Sequence, residues 1–208
     1  MIEPVIIGKA TLYNMDCMDY MATLPDKYFD LAIVDPPYGI GIANNPVRQS
    51  HEKKQWDNSI PGELYFKEIN RISKNQIIWG GNYFLDHLGK TQGFIIWDKK
   101  QPQDFSLAMC EFAWSSIQKP AKIFRYSVLM GDEKIHPTQK PVKLYEWLLV
   151  NYAETGHKIL DTHGGSLSNV IACLNLGFEI VCTELDEDYF NAGVERVRKS
   201  QQQQRLFA

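Results

Sequence analysis

Three acidic residues each close a short apolar run: Asp35 follows Leu31-Ala32-Ile33-Val34, Asp161 follows Ile159-Leu160, and Glu184 lies just beyond Ile180-Val181-Cys182. Runs of this kind read as strands buried on both faces, the mark of a parallel sheet. In an open α/β sheet, ligands bind in the crevice outside the carboxyl ends of the strands, so the three carboxylates are expected to face one cleft. Asp35 is followed by Pro36, Pro37 and Tyr38. The prolines forbid further ladder or an immediate helix, stiffen the turn and bring no N–H to compete for the carboxylate. A carboxylate beside the Pro36 carbonyl forms a pair of aimed acceptors suited to an amino group, and a tyrosine offers a face on which an aromatic ring stacks.

From Asp161 through Gly164 and Gly165 to Glu184 the chain reads as a nucleoside-binding βαβ unit. The glycines permit close backbone approach, and an acid about 20 residues on suits ribose hydroxyls. The G-x-G-x-x-G turn that a dinucleotide pyrophosphate needs is absent, which weakens a reading as an NAD-linked oxidoreductase. Asp161 suits a cofactor with an ammonium or sulfonium charge, which favours S-adenosyl-L-methionine over NAD. Taken singly, Asp161 also reads as a helix cap and Glu184 as a surface residue at a strand end.

The elements that must position these groups alternate between strand and helix patterns, giving an α/β class with a mostly parallel sheet and helices on both faces. Helices are expected at 63–73 and 143–152, and strands at 76–79, 94–97, 112–115 and 121–124, with β-turn-α-β-α over 158–200. Ser166 or Ser168 is expected to cap the helix carrying Val170, Ile171 and Leu174, and Gly177 to stop it. Residues 39–62 exceed the ~12–15 usual for a structureless connection and, beside Asp35, suggest a lid or clamp. A second loop surrounds 130–140. Residues 1–200 read as one domain, with the Gln-rich 201–208 expected to be a disordered tail.

With 208 residues, 44% hydrophobic and 23% charged, the chain can bury a sizeable core, and no apolar run approaches the ~18 residues of a membrane span. Glu3 and Pro4 interrupt the N-terminal segment, so no signal peptide is expected and the chain is placed in the cytoplasm without membrane contact. A net charge of −3 announces no nucleic-acid partner, so any such binding must be local. Arg48, His51, Lys53 and Lys54 in the long loop, with Lys99 and Lys100 and further aid from Lys119, Lys122 and Arg125, are the candidates for such local contact. Cys17, Cys110, Cys173 and Cys182 form no C-x-x-C pair, so they are expected to be reduced and structural, with no metal site.

Asp35-Pro36-Pro37-Tyr38 after an apolar strand resembles the catalytic motif of N6-adenine DNA methyltransferases. The segment His136-Pro137-Thr138-Gln139-Lys140-Pro141 and the Asp161 loop followed by Glu184 are similar to the same family, and their order is that of its permuted β group. The resemblance covers nearly the whole chain. It implies a Rossmann-like fold that transfers a methyl group from S-adenosyl-L-methionine to adenine N6 in DNA. It also implies that Asp16 contacts the cofactor adenine, that Thr138 and Lys140 lie by its methionine end, and that Asp35, Asp161, His163, Gly165, Ser166 and Glu184 complete its site. A homodimer and a cognate restriction nuclease are the further partners it raises.

The target base would flip into the pocket, with Tyr38 offsetting part of the lost stacking. The family's loop usually reads Asp-x-Phe-x-Gly-x-Gly, whereas this chain carries His163 and Leu167 in place of the aromatic and the last glycine. A Cβ at Leu167 is expected to crowd the backbone approach that glycine permits. The alternatives are methylation of cytosine N4, for which the family more often places Ser before Pro-Pro, and a silent DNA-binding protein with a degenerate cofactor loop.

Overall fold

The computed structural model describes residues 3–42, 54, 56–102, 104, 108–127, 130 and 134–207, with side chains described through residue 203. Its strands are β1 (Val5–Ile7), β2 (Ala10–Asn14), β3 (Phe29–Val34), β4 (Ser73–Trp79), β5 (Ile95–Asp98), β6 (Cys110–Ser115), β7 (Lys122–Arg125), β8 (Lys158–Asp161) and β9 (Glu179–Glu184). The helices are α1 (Cys17–Ala22), α2 (Glu63–Ile72), α3 (Val142–Tyr152), α4 (Ser168–Leu176) and α5 (Glu187–Phe207). The strands form one sheet in the order β1-β2-β9-β8-β3-β4-β6-β5-β7. The run from β2 to β4 is parallel, whereas β6 pairs antiparallel with both β4 and β5.

The two-residue alternation of the central strands splits the core cleanly. Leu31 and Ile33 of β3, with Ile159 of β8 and Ile180 and Cys182 of β9, pack against α3, α4 and α5. Ala32, Val34, Leu160 and Val181 pack on the opposite face with Met21 of α1 and Tyr65, Phe66, Ile69 and Ile72 of α2. Such strands have no polar face, which is why they appear in sequence as unbroken apolar runs.

From β3 the chain proceeds through α2 to β4 on one side, and from β8 through α4 to β9 on the other. β3 and β8 are therefore adjacent strands whose exits diverge, and the crevice between them lies at a topological switch point.

Each expected strand and helix is present, with boundaries shifted by three residues at most except at the C-terminal end of α5. The two N-terminal strands carried too weak a pattern to be anticipated. Two expectations are corrected. The chain from 201 to 207 continues α5 and is not a separate disordered tail, because nothing in the Gln run breaks a helix. Neither serine caps α4: its N-cap is Leu167 in the left-handed conformation, and the Ser166 and Ser168 hydroxyls lie 3.0 Å from one another. Gly177, at φ 77°, does end that helix.

Candidate active site

Two cavities open at the carboxyl end of the parallel strands and meet at Asp35. The first, about 760 Å³, is lined by Asp16, Asp35, Thr138, Lys140, His163, Gly165, Ser166 and Glu184. These are eight of the nine residues assigned to the cofactor from sequence. The second, about 510 Å³, is lined by Pro36, Tyr38, Tyr83, Lys99 and Glu111. Asp35, Pro37, Trp56, Thr138, Gln139 and Lys140 line both.

Asp35 is held from two sides. Its Oδ1 accepts the Tyr38 hydroxyl at 2.6 Å and its Oδ2 accepts Lys140 Nζ at 2.5 Å. Lys140, only 3% exposed, also lies 3.1 Å from Glu111 Oε2, and Glu111 Oε1 accepts Lys99 Nζ at 2.6 Å. Burial pushes the Asp35 carboxyl up, with Lys140 opposing it. Burial also works against the charge on Glu111, but Lys140 and Lys99 outweigh it and hold this carboxyl at about 2. For Lys140 the desolvation is likewise outweighed, by Asp35 and Glu111, so the ammonium stays charged.

Tyr38 is itself built in. Its ring stacks on Tyr83 at 5.1 Å and meets the edge of Phe84. Gly80 is required beneath it: φ is 71°, and a Cβ there would sit 2.2 Å from the ring. The backbone of the turn after Pro37 is gathered by Asp57, which is 1% exposed and accepts the amides of Tyr38, Gly39 and Ile42 at 2.8–2.9 Å. Sequence reading missed Tyr83, Gly80, Asp57 and Glu111. The Gly80-Gly81 pair was the one available signal, since the rest act through contacts distant in the chain.

In the first cavity Asp16 caps α1, its Oδ1 accepting Met18 N at 2.7 Å. Glu184 accepts the amides of Gly165 (2.6 Å) and Asp186 (2.8 Å), and burial raises its carboxyl. Asp161 departs from expectation, since it does not line the cavity. Its oxygens accept His163 N and Asn169 Nδ2, both at 3.1 Å, so it braces the loop from behind, with burial pushing its carboxyl up to about 7. His163 takes the aromatic position, edge-on to Tyr65 at 5.4 Å, and burial lowers its imidazole to about 4, leaving it neutral near pH 7.

Leu167 corrects the expected crowding. It is 1% exposed, belongs to the core and does not line the cavity. Its side chain occupies space left by two glycines: a Cβ on Gly164 or on Gly193 of α5 would come within 2.6 Å of it. A left-handed non-glycine residue costs ~1–2 kcal/mol. Burying a leucine returns ~1.5–3 kcal/mol, so the exchange is sustained.

The described members of the expected DNA-binding set differ in their surroundings. Lys54 pairs with Asp186 (2.6 Å) and Asp188 (2.8 Å), and its Nζ lies 4.6 Å from the Tyr189 ring centroid. Lys99 is engaged by Glu111, whereas Lys100 is exposed. Arg48, His51 and Lys53 lie outside the described residues. Within the long loop, Trp56, Ile60 and Pro61 form a wall of the first cavity, and Trp56 packs on His136 at 5.3 Å. Cys17 lines this cavity too, but burial raises its thiol to about 12, which excludes a thiolate nucleophile there. Among the described residues there is no cluster fit to hold a metal ion, and no helix is long and apolar enough to cross a membrane.

A doubly covered, mostly parallel sheet with an acid-lined cleft at its switch point is the Rossmann-like fold of the methyltransferase class. Residues 75–195 match the DNA methylase family of N6 and N4 enzymes, and the chain belongs to that family. The Asp35-Pro-Pro-Tyr38 turn lies ahead of the matched stretch.

Among similar proteins, YubD of Escherichia coli is 26% identical over 88% of this chain and 87% of its own length. The type II methyltransferase M2.MboI of Moraxella bovis is 25% identical over 89% and 86%. In fold, the complex of M1.HpyAVI with S-adenosylmethionine aligns with a TM-score of 0.63 at 20% identity, covering 90% of this chain and 98% of that one. The cytosine-N4-specific PvuII DNA methyltransferase aligns at 0.65 and 13% identity, covering 92% and 90%.

Proposed function

We propose that the protein transfers a methyl group from S-adenosyl-L-methionine to N6 of adenine in DNA. The observation that carries this reading is the placement of Asp35 at the junction of the two cavities. A group there reaches a cofactor on one side and a flipped base on the other.

The first cavity fits an adenosine-bearing cation. At about 760 Å³ it lies within the ~300–1,000 Å³ of small-molecule sites. Its acids Asp16 and Glu184 offer acceptors for a nucleoside, and Met15, Met18 and Tyr65 supply apolar walls. The neutral imidazole of His163 adds no repelling charge. When bound, S-adenosylmethionine supplies an electrophilic methyl group on sulfur.

An exocyclic amine is a poor nucleophile because its lone pair is delocalised into the ring. The chain's own residues answer this by localising and aiming that pair. A carboxylate has about four acceptor positions, and Tyr38 and Lys140 occupy two of those on Asp35, leaving capacity for an amine N–H. The Pro36 carbonyl is the second acceptor of the proposed pair. Tyr38, already stacked on Tyr83, forms with it an aromatic wall of the base pocket.

Adenine is preferred to cytosine because an aspartate precedes Pro-Pro-Tyr, where the resembled cytosine-N4 enzymes more often carry serine. The cytosine-N4 reading keeps its place as the alternative, since PvuII methyltransferase shares the fold. Incubation with the cofactor and unmethylated mixed-sequence DNA, followed by digestion and mass spectrometry of the nucleosides, separates them. N6-methyladenine is expected. N4-methylcytosine would transfer the assignment to the other base, and no methylated base would favour a silent DNA-binding protein.

A further inference from the structure

The second cavity holds an acid that the reading above does not use. The antiparallel pairing of β5 with β6 sets Glu111 opposite Trp97, with Lys99 two residues beyond it. That hairpin places Glu111 against Lys140, and a chain of four alternating charges results: Asp35, Lys140, Glu111 and Lys99, linked at 2.5, 3.1 and 2.6 Å. Lys140 has three N–H donors, and Asp35, Glu111 and the Tyr38 hydroxyl all lie within 3.2 Å of its nitrogen.

From this geometry we propose that Glu111 is a positioning residue for methyl transfer: it anchors Lys140 and takes up part of its charge, so that Asp35 keeps its acceptor strength for the target amine. The inference rests on the methyltransferase reading. With Lys140 alone beside it, Asp35 would be neutralised by a full ion pair and would accept an amine poorly. With Glu111 present, the three groups nearest the amine carry a net single negative charge, matched to the positive charge the amine gains as its bond to carbon forms. Lys99 stands on the far side of Glu111 and, with Lys140, keeps that acid ionised.

The test is Glu111→Gln, which keeps the shape and removes the charge. Asp35 is faced by Tyr38 on its own turn, Lys140 before α3, Tyr145 on α3, Glu111 on β6, Tyr65 on α2 and Asp161 on β8. Of the acids among these, Glu111 raises Asp35. Its neutralisation therefore lowers the pH at which Asp35 ionises, and the acidic limb of the kcat profile moves to lower pH. In the same variant kcat on its plateau falls by at least roughly tenfold. Cofactor affinity by calorimetry is expected to hold, since Glu111 does not line the first cavity, and this also reports that the variant is folded. Glu111→Asp, which restores the charge on a shorter arm, returns the limb toward wild type and recovers part of kcat.

A wild-type kcat and limb in Glu111→Gln would overturn the proposal. So would a loss of kcat with an unmoved limb that Glu111→Asp does not relieve, since that describes mere structural support. If the wild-type protein methylates no base, the functional reading fails and takes this inference with it. An active wild type with an indifferent Glu111→Gln sinks the inference alone.

Discussion

At the scale of single residues, buried carboxylates set how the protein responds to pH. Asp161, Asp35 and Glu184 are all pushed up by burial, Asp161 to about 7 from an ordinary 3.8. A carboxyl whose folded value is raised contributes stability that is complete below its unfolded value and is lost as pH rises through the folded one. The Asp161 contribution is therefore expected to fall away between about pH 4 and pH 7, against an opposite contribution from His163, whose value burial lowers to about 4, so Asp161→Asn should shift the pH dependence of stability toward a rise with pH across that window. Unfolding midpoints of wild type and Asp161→Asn across the window check this, and parallel profiles for the two proteins would contradict the assignment. Asp57 offers a second test. Its carboxylate gathers three backbone amides of the turn that aims Asp35 and Tyr38. Asp57→Ala should cost on the order of 2–4 kcal/mol by chemical denaturation, because those amides lose a charged acceptor. A cost under ~0.5 kcal/mol would show that the turn holds itself.

Among the elements, two contacts across the fold make their own predictions. Leu167 fills the space opposite Gly193, so Gly193→Ala should destabilise by about 1–3 kcal/mol through overpacking. Shortening the partner in Gly193→Ala/Leu167→Ala should bring the two effects below their sum, and strict additivity would deny the contact. Lys54 reaches the first cavity's wall through Asp186, a pair partly shielded from solvent, and also pairs with the exposed Asp188. If those pairs are worth ~1 kcal/mol, Lys54→Met should speed cofactor dissociation by about fivefold in stopped-flow measurements. An unchanged rate would mean that the wall stands without the latch.

What could be read from sequence follows the same divide. Strands buried on both faces reveal themselves as apolar runs, and an acid at the end of such a run has its place settled by local chain direction alone. That is why Asp35 and Glu184 were found. Asp161 shares the signature yet braces the loop, because orientation at a strand end depends on a neighbour, Asn169, that no spacing rule discloses. Lys54 and Lys99 looked like surface cations for want of any view of Asp186 and Glu111. The role of Leu167 could not be inferred without knowing that Gly193 on another helix leaves it room.

For the whole molecule, topology explains why chemistry gathers at one place. β3 and β8 lie side by side while their exits diverge, so the loops carrying Asp35 and the glycines of 164–165 face one crevice although about 130 residues separate them. Trp56 and the segment before α3, with Thr138, Gln139 and Lys140, line both of the two cavities that meet at Asp35. With a net charge of −3 and with Lys54 and Lys99 engaged internally, the surface as a whole offers no general attraction for a polyanion.

The central claim is that Asp35 handles the target amine at this junction. Single-turnover methyl transfer by Asp35→Ala, measured beside calorimetric binding of S-adenosylmethionine, tests it most directly. The account predicts a loss of at least about a thousandfold in the transfer rate, far exceeding any loss of cofactor affinity. Transfer at a rate close to wild type would contradict it.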